Sequence, residues 1–255
     1  MASLQKVLVT AGASGIGLAI SLEFLKTGAD VFICDVSDVA LKEALTQNPR
    51  LRGCVADVGV PLEVEAMFAE VLKAFGGLDI LVNNAGIGGQ RGLVEDLDYD
   101  QWDRTIGVNL NGMFYCIKNA IPLMKKQGSG CVINISTASV KVGLPNRLPY
   151  IASKAGVMGL SHTLAREVGP SNIRSNCILP GFIDNQRGSD IASAYAKDLG
   201  VSLEEVEKSF LKTISMRTKI KMSEIGEMAV FLASDKAKHI TAQEIAVDGN
   251  LEWEG

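Results

Sequence analysis

Apolar residues in this chain fall into short runs, and stretches of helical spacing separate them. Val7-Leu-Val9 is the first run. Leu18, Ile20, Leu22, Phe24 and Leu25 follow with the mixed periodicity of a helix covered on most sides, closed by Gly28. Val31–Asp35 reads as the second strand, and a helix over Asp38–Asn48 is stopped by Pro49. A third strand is predicted at Gly53–Asp57, a helix at Pro61–Phe75 ending in Gly76-Gly77, and a fourth strand at Asp79–Asn83. Such strand–helix alternation implies right-handed crossovers and a parallel sheet.

The second half continues the pattern. After a loop at 87–98, a long helical region over 100–127 carries Asn109 in its apolar middle, where a buried amide needs a partner. Val132–Thr137 is a fifth strand running into an irregular loop at 139–149. Tyr150–Val168 is a helix ended by Gly169-Pro170, and Asn172–Leu179 contains a sixth strand leading into Pro180-Gly181. Residues 184–216 turn charged and helix-favouring and suit a mobile lid over the ligand edge. A last amphipathic helix spans Ser223–Ser234, with Ser223 read as its N-cap, and Gln243–Gly249 is a seventh strand. The expected fold is α/β: a single domain over 1–255, a Rossmann-like doubly wound parallel sheet of about seven strands with helices on both faces.

Composition narrows the function. The formal net charge is −4, so no basic field exists to attract phosphate backbones, and nucleic-acid binding is not expected. Five cysteines without a CxxC pair read as reduced thiols of a cytoplasmic protein. The two histidines lack ligand spacing, so no His-based metal site is expected. The start of the chain shows no apolar leader and no run approaches membrane-spanning length.

The chemistry gathers at the predicted strand ends, where ligands bind in such sheets. Thr10-Ala-Gly-Ala-Ser-Gly15-Ile-Gly17 joins strand to helix, and its free N–H groups and helix dipole suit a pyrophosphate without any lysine. Asp35 ends the second strand and can accept both hydroxyls of an adenosine ribose while repelling a 2′-phosphate, which favours NAD over NADP. Tyr150 and Lys154 stand four apart on one helix face, where a cation favours the phenolate of a group whose free pKa is about 10. The strand end at Thr137 can bring a hydroxyl beside that phenol.

In their order and spacing, Thr10 to Gly17, Asp57, Asn83-Asn-Ala-Gly86, Asn109, Thr137, Tyr150/Lys154, Pro180-Gly181 and Val247-Asp-Gly resemble the short-chain dehydrogenase/reductase family over essentially the full length. The resemblance implies that Tyr150 is the general acid/base, that Lys154 lowers its pKa and holds the nicotinamide ribose, and that Thr137 orients the substrate oxygen. It makes Asn109 the holder of a water linking Lys154 to solvent. It places cofactor contacts on Thr10, Gly12, Ser14, Gly15, Ile16, Gly17, Asp35, Asp57, Val58, Asn83, Ala85, Gly86, Tyr150, Lys154, Pro180, Gly181, Ile183 and Asn185. It also implies a homotetramer built by pairing the helices near 100–127 and 150–168.

Three positions depart from the family. Ala11 replaces a usual Gly and is expected to keep a negative φ, because positive φ costs Ala about 1 kcal/mol or more. Thr137 replaces Ser, keeping the hydroxyl but adding a methyl. Asn185 stands where a Thr usually follows Pro-Gly. Substrate contacts are expected from Ser139, Asn146, Arg147, Gln186 and Arg187, with Gln90 and Arg91 nearby. Those groups point to a small polar alcohol or ketone: a sugar, sugar acid or hydroxy acid. The alternatives are an NAD-binding protein with lost or sensory redox activity, and an epimerase or dehydratase recycling bound NAD.

Overall fold

A computed structural model describes residues 4–252; the chain start read above for a leader includes Met1–Ser3, which lie outside them. Seven strands form one parallel sheet in the order β3-β2-β1-β4-β5-β6-β7. They are β1 (Lys6–Thr10), β2 (Asp30–Asp35), β3 (Leu51–Val55), β4 (Ile80–Asn83), β5 (Gly130–Ile135), β6 (Ile173–Pro180) and β7 (Glu244–Val247). Strand order reverses beside β1, whose neighbours are β2 and β4, so a crevice opens above their carboxyl ends.

The five inner strands bury both faces, which is why their runs read as continuously apolar, while the edge strands β3 and β7 are only partly covered. In β1, Val7 and Val9 join one core with Ile33, Ile133 and the helices α1 (Gly15–Lys26) and α9 (Met222–Ala233). Leu8 points the other way and packs with Phe32, Leu81 and Val132 against α3 (Pro61–Phe75) and α5 (Gly112–Gln127). The helix α2 (Asp38–Gln47) flanks β2 and β3. The helical region after β4 is α4 (Tyr99–Ile106), a π-turn at Gly107–Asn111, and α5, followed after β5 by α6 (Leu148–Val168). The expected lid holds two helices, α7 (Gln186–Leu199) and α8 (Leu203–Lys212), and short bridges Ile183–Ile220 and Ile214–Leu251 flank them.

Several boundaries move. The fifth strand is Gly130–Ile135 rather than Val132–Thr137, so Thr137 lies past its end as the cap of the next turn, and α6 starts at Leu148, two residues before Tyr150. The third strand is Leu51–Val55 rather than Gly53–Asp57, because Leu51 already pairs with Val31 directly after the turn at Pro49. Asp57 lies beyond the strand, where its carboxylate accepts the Gly59 N–H (2.8 Å). Ser223 is not the cap of the last helix: Glu224 accepts the Lys221 N–H (2.6 Å), so the helix starts at Met222.

Candidate active site

The glycine turn and the segment after β4 are stitched together at the crevice. Buried Thr10 Oγ1 accepts the N–H groups of Asn84 (2.9 Å) and Ala85 (3.0 Å). Asn84 Nδ2 donates back to the carbonyls of Thr10 (3.0 Å) and Ala11 (3.2 Å). A Cβ on Gly17 would overlap the Ala11 carbonyl oxygen, and one on Gly12 would press into Ile33, so both glycines are required by close approach. Gly15, at φ 54, meets nothing within 4 Å of where its Cβ would be. Ser14 is the N-cap of α1 but makes no side-chain cap, which leaves first-turn N–H groups for a ligand. The expectation for Ala11 fails. Its φ is 48, a left-handed conformation held by the two Asn84 hydrogen bonds and the close packing of Gly17.

Asp35 sits at the end of β2, 8% exposed, accepting the N–H groups of Ala13 (3.3 Å) and Ser37 (3.0 Å). It therefore shapes the glycine turn as well as marking its far end. Val58 and Ala85 are buried and do not line the cavity. Asn83 is sealed inside, with Nδ2 donating to Asn134 Oδ1 (2.9 Å) and its own Oδ1 unpartnered among the described residues; its neighbour Asn84 lines the cavity.

A cavity of about 630 Å³ runs from Ser14, Gly15 and Ile16 to Thr137, Tyr150 and Lys154. Gly86, Pro180, Gly181, Ile183 and Asn185 line its middle. Gly181 donates its N–H to the Val247 carbonyl (3.0 Å), which brings Pro-Gly against the Val247-Asp-Gly end. Asn185 Oδ1 accepts the Gly188 N–H (2.8 Å) and so caps α7.

The Lys154 ammonium is buried, and its one hydrogen bond is to the Ile135 carbonyl (2.7 Å). Burial, reinforced by the charge of Arg187, pulls its pKa down to about 7. Ser136 Oγ donates to the Lys154 carbonyl (2.9 Å), tying α6 to the end of β5. Thr137 caps the following turn, its Oγ1 accepting the Ser139 N–H (3.3 Å). Asn109, in the π-turn, accepts the Ile87 N–H (2.7 Å) and donates to the Ile87 carbonyl and to Ser153 Oγ (3.0 Å each). Its side-chain amide is thus spent on structure. A Cβ on Gly86 would stand 3.2 Å from Lys154 Nζ and 3.3 Å from Asn109 Oδ1, which shows how tightly these groups converge.

At the substrate end, Ser139, Arg147, Gln186 and Arg187 line the cavity. Asn146 does not; it takes φ 61 in a turn and its carbonyl accepts the Gly92 N–H (3.3 Å). The Arg147 guanidinium carbon lies 5.0 Å from the Tyr150 ring centroid, and Arg187 donates to the Gly86 carbonyl (3.4 Å). Arg91 pairs with Asp198 (2.8 Å) and stacks on Tyr195. Gln90 turns away, accepting the Asp98 N–H (2.8 Å). Among the described residues no cluster of His, Cys, Asp or Glu is placed to hold a metal.

Sequence reading missed Asn84, Ser136 and Ser153, and the apolar wall of Val142, Leu144, Tyr195 and Phe210. Ser153 lay within the Tyr150–Lys154 stretch, but nothing in one sequence announces a hydrogen bond to Asn109 forty-four positions earlier. The apolar wall comes from a loop and from α7 and α8, whose placement no periodicity encodes.

The family model described as enoyl-(acyl carrier protein) reductase matches residues 10–251. The 3-oxoacyl-acyl-carrier-protein reductase FabG of Staphylococcus aureus is 36% identical over 252 residues, covering 97% of this chain and 98% of that protein. The D-beta-hydroxybutyrate dehydrogenase of Rhizobium meliloti is also 36% identical, covering 96% and 97%. Among solved structures, a variant of actinorhodin polyketide ketoreductase with NADPH superposes with a TM-score of 0.93 at 31% identity, covering 98% of each chain. NAD+-bound xylitol dehydrogenase gives 0.92 at 27% identity, covering 96% of this chain and 98% of that one. With a seven-stranded Rossmann-like sheet and a family model matched over nearly its whole length, this chain belongs to the short-chain dehydrogenase/reductase family.

Proposed function

We propose that this chain is an NAD-dependent dehydrogenase/reductase that interconverts a secondary alcohol and a ketone in a small polar substrate: a sugar, sugar acid or hydroxy acid. One arrangement carries the reading: Tyr150, Lys154 and Thr137 line the same cavity as the open first turn of α1. The residues fit a nicotinamide dinucleotide. Gly15 offers an unobstructed cradle at a helix N-terminus, and Asp35 holds the end of β2. Beside Asp35, Ala13, Val36 and Ser37 carry no cation for a 2′-phosphate, which supports NAD.

When bound, the nicotinamide supplies the hydride acceptor or donor. The side chains manage the proton. Tyr150 exchanges it with the substrate oxygen, and Thr137 Oγ1 orients that oxygen. At neutral pH Lys154 sits near its own midpoint, so it can take up or release a proton. Asn109 acts by holding the Ile87 loop and α6 in place. The segment over 184–216 serves as the lid. Phe114, half exposed on α5, supplies apolar surface of the kind a partner subunit covers in a homotetramer. The five free cysteines accord with a cytoplasmic location.

Purified protein is incubated with NAD and a panel of polar secondary alcohols. Net NADH formation, abolished by Tyr150→Phe, is the expected result. Tight NAD binding without turnover of any alcohol or ketone would instead mark a binding protein.

A further inference from the structure

The cavity is lined by Arg147, Lys154 and Arg187 and by no Asp or Glu. Lys154 is committed to the Ile135 carbonyl, and Arg187 reaches the Gly86 carbonyl. Arg147 is different. It is 7% exposed, its guanidinium lies over the Tyr150 ring, and no acid among the described residues is within ion-pair distance of it. Burial disfavours its charge, and so do Arg91 and Arg187, while Tyr150 works the other way. A buried guanidinium in that setting calls for an anion.

A second observation points to the same place. Tyr195 lines the same cavity as Arg147, and its buried hydroxyl has no partner among the described residues. Buried hydroxyls of native proteins are nearly always satisfied, so this one awaits an acceptor.

We infer that Arg147 and the Tyr195 hydroxyl receive a carboxylate of the substrate, so that the chain acts on hydroxy or oxo acids and not on neutral polyols. This rests on the oxidoreductase reading above. A planar guanidinium matches a planar carboxylate with two parallel hydrogen bonds. With the guanidinium 5.0 Å from the Tyr150 ring centroid, the carboxylate is held beside the phenol, and a short acid bears it on the reacting carbon or one carbon away. That geometry describes a 2- or 3-hydroxy acid, whose remaining carbons meet Val142, Leu144 and Phe210.

The test uses the full chain with NAD present. Malonate is titrated against thermal unfolding, with malonamide and sodium chloride at equal ionic strength as controls. A saturable upward shift is expected with malonate alone, lost in Arg147→Gln and weakened in Arg147→Lys, which keeps the charge but not the fork. NADH fluorescence verifies that each variant still binds cofactor. In parallel, NADH-linked reduction of acetoacetate and pyruvate is compared with that of their methyl esters. The acid-to-ester ratio of kcat/KM is expected to fall roughly ten- to a hundredfold in Arg147→Gln. The inference is overturned if malonate shifts wild type no more than malonamide does, or if Arg147→Gln leaves the malonate shift intact. Should Arg147→Gln not fold, the malonate-to-malonamide contrast in wild type and Arg147→Lys decides. A malonate shift without any turnover keeps the carboxylate receptor and removes the oxidoreductase reading. Preferred turnover of esters without a malonate shift does the reverse.

Discussion

Asn109 Nδ2 donates to Ser153 Oγ at 3.0 Å, and that hydroxyl in turn donates to the Tyr150 carbonyl at 2.7 Å. The chain of bonds runs from the π-turn at Gly107–Asn111 to the backbone of Tyr150, the proposed acid/base. A π-turn strains its helix and persists where surrounding contacts require it. Here it brings an amide into reach of both Ile87 and α6.

Asn109→Ala and Ser153→Ala should each destabilise the fold by about 1–3 kcal/mol, because each leaves a buried partner unsatisfied. The double variant should lose less than the sum, since the two share one bond. Urea unfolding of the four proteins measures this. Additive losses would show that the two side chains are not coupled.

Ala11→Gly should stabilise the chain. The left-handed conformation at φ 48 costs Ala about 1–2 kcal/mol, and the added freedom of Gly in the unfolded state takes back about 0.4–1 kcal/mol. The net gain corresponds to a rise in Tm of roughly 1–4 °C for a chain of this size. Calorimetry of both proteins checks it, and a lower Tm for the variant would contradict the reading of this turn.

Lys154 gives the cofactor-free chain a characteristic pH dependence. Its folded pKa of about 7 lies below the ordinary value of about 10.4, so between these the unfolded chain binds more protons at this site. Stability from this group therefore rises with pH from about 7 to about 10, and the full cost of charging it is present below about 7. Buried Cys34, Cys116, Cys131 and Cys177 have raised pKa values and act oppositely once pH passes the free-thiol value of about 8.5. The difference between wild type and Lys154→Met isolates the lysine. The variant should gain most in Tm near pH 6, and its advantage should shrink by about pH 9. An advantage independent of pH would mean that Lys154 is not depressed.

If the proposed NAD preference rests on Asp35, Asp35→Ala should relax discrimination between the two dinucleotides by about tenfold or more, because the carboxylate proposed to repel a 2′-phosphate is gone. Because Asp35 also accepts the N–H groups of Ala13 and Ser37, the same change should cost about 1–2 kcal/mol of stability. Dissociation constants for NADH and NADPH, with Tm of each protein, test both halves. A wild type that already prefers NADPH tenfold would sink the cofactor assignment.

Sequence alone determined the order of strands and helices, the parallel sheet, the glycine turn and the Tyr150/Lys154 pair. Each of these is written in local periodicity, in turn residues or in short spacing, and local sterics enforce them wherever the chain goes. The edge strand β3 and the inner strand β5 both begin two residues before the expected start, because Leu51 and Gly130 are already paired by backbone bonds to Val31 and Ile173 that a side-chain pattern does not record. Only tertiary structure decided the conformation of Ala11, since the contacts that hold it come from Asn84 and Gly17. The same is true of the sealing of Asn83 while Asn84 reaches the cavity, and of the bond from Asn109 to Ser153. The burial of Arg147 also belongs there, because the segment at Gly88 and the Tyr150 ring that lie against it come from separate parts of the chain. A sequence records which groups are available; their desolvation and pairing arise when distant segments meet.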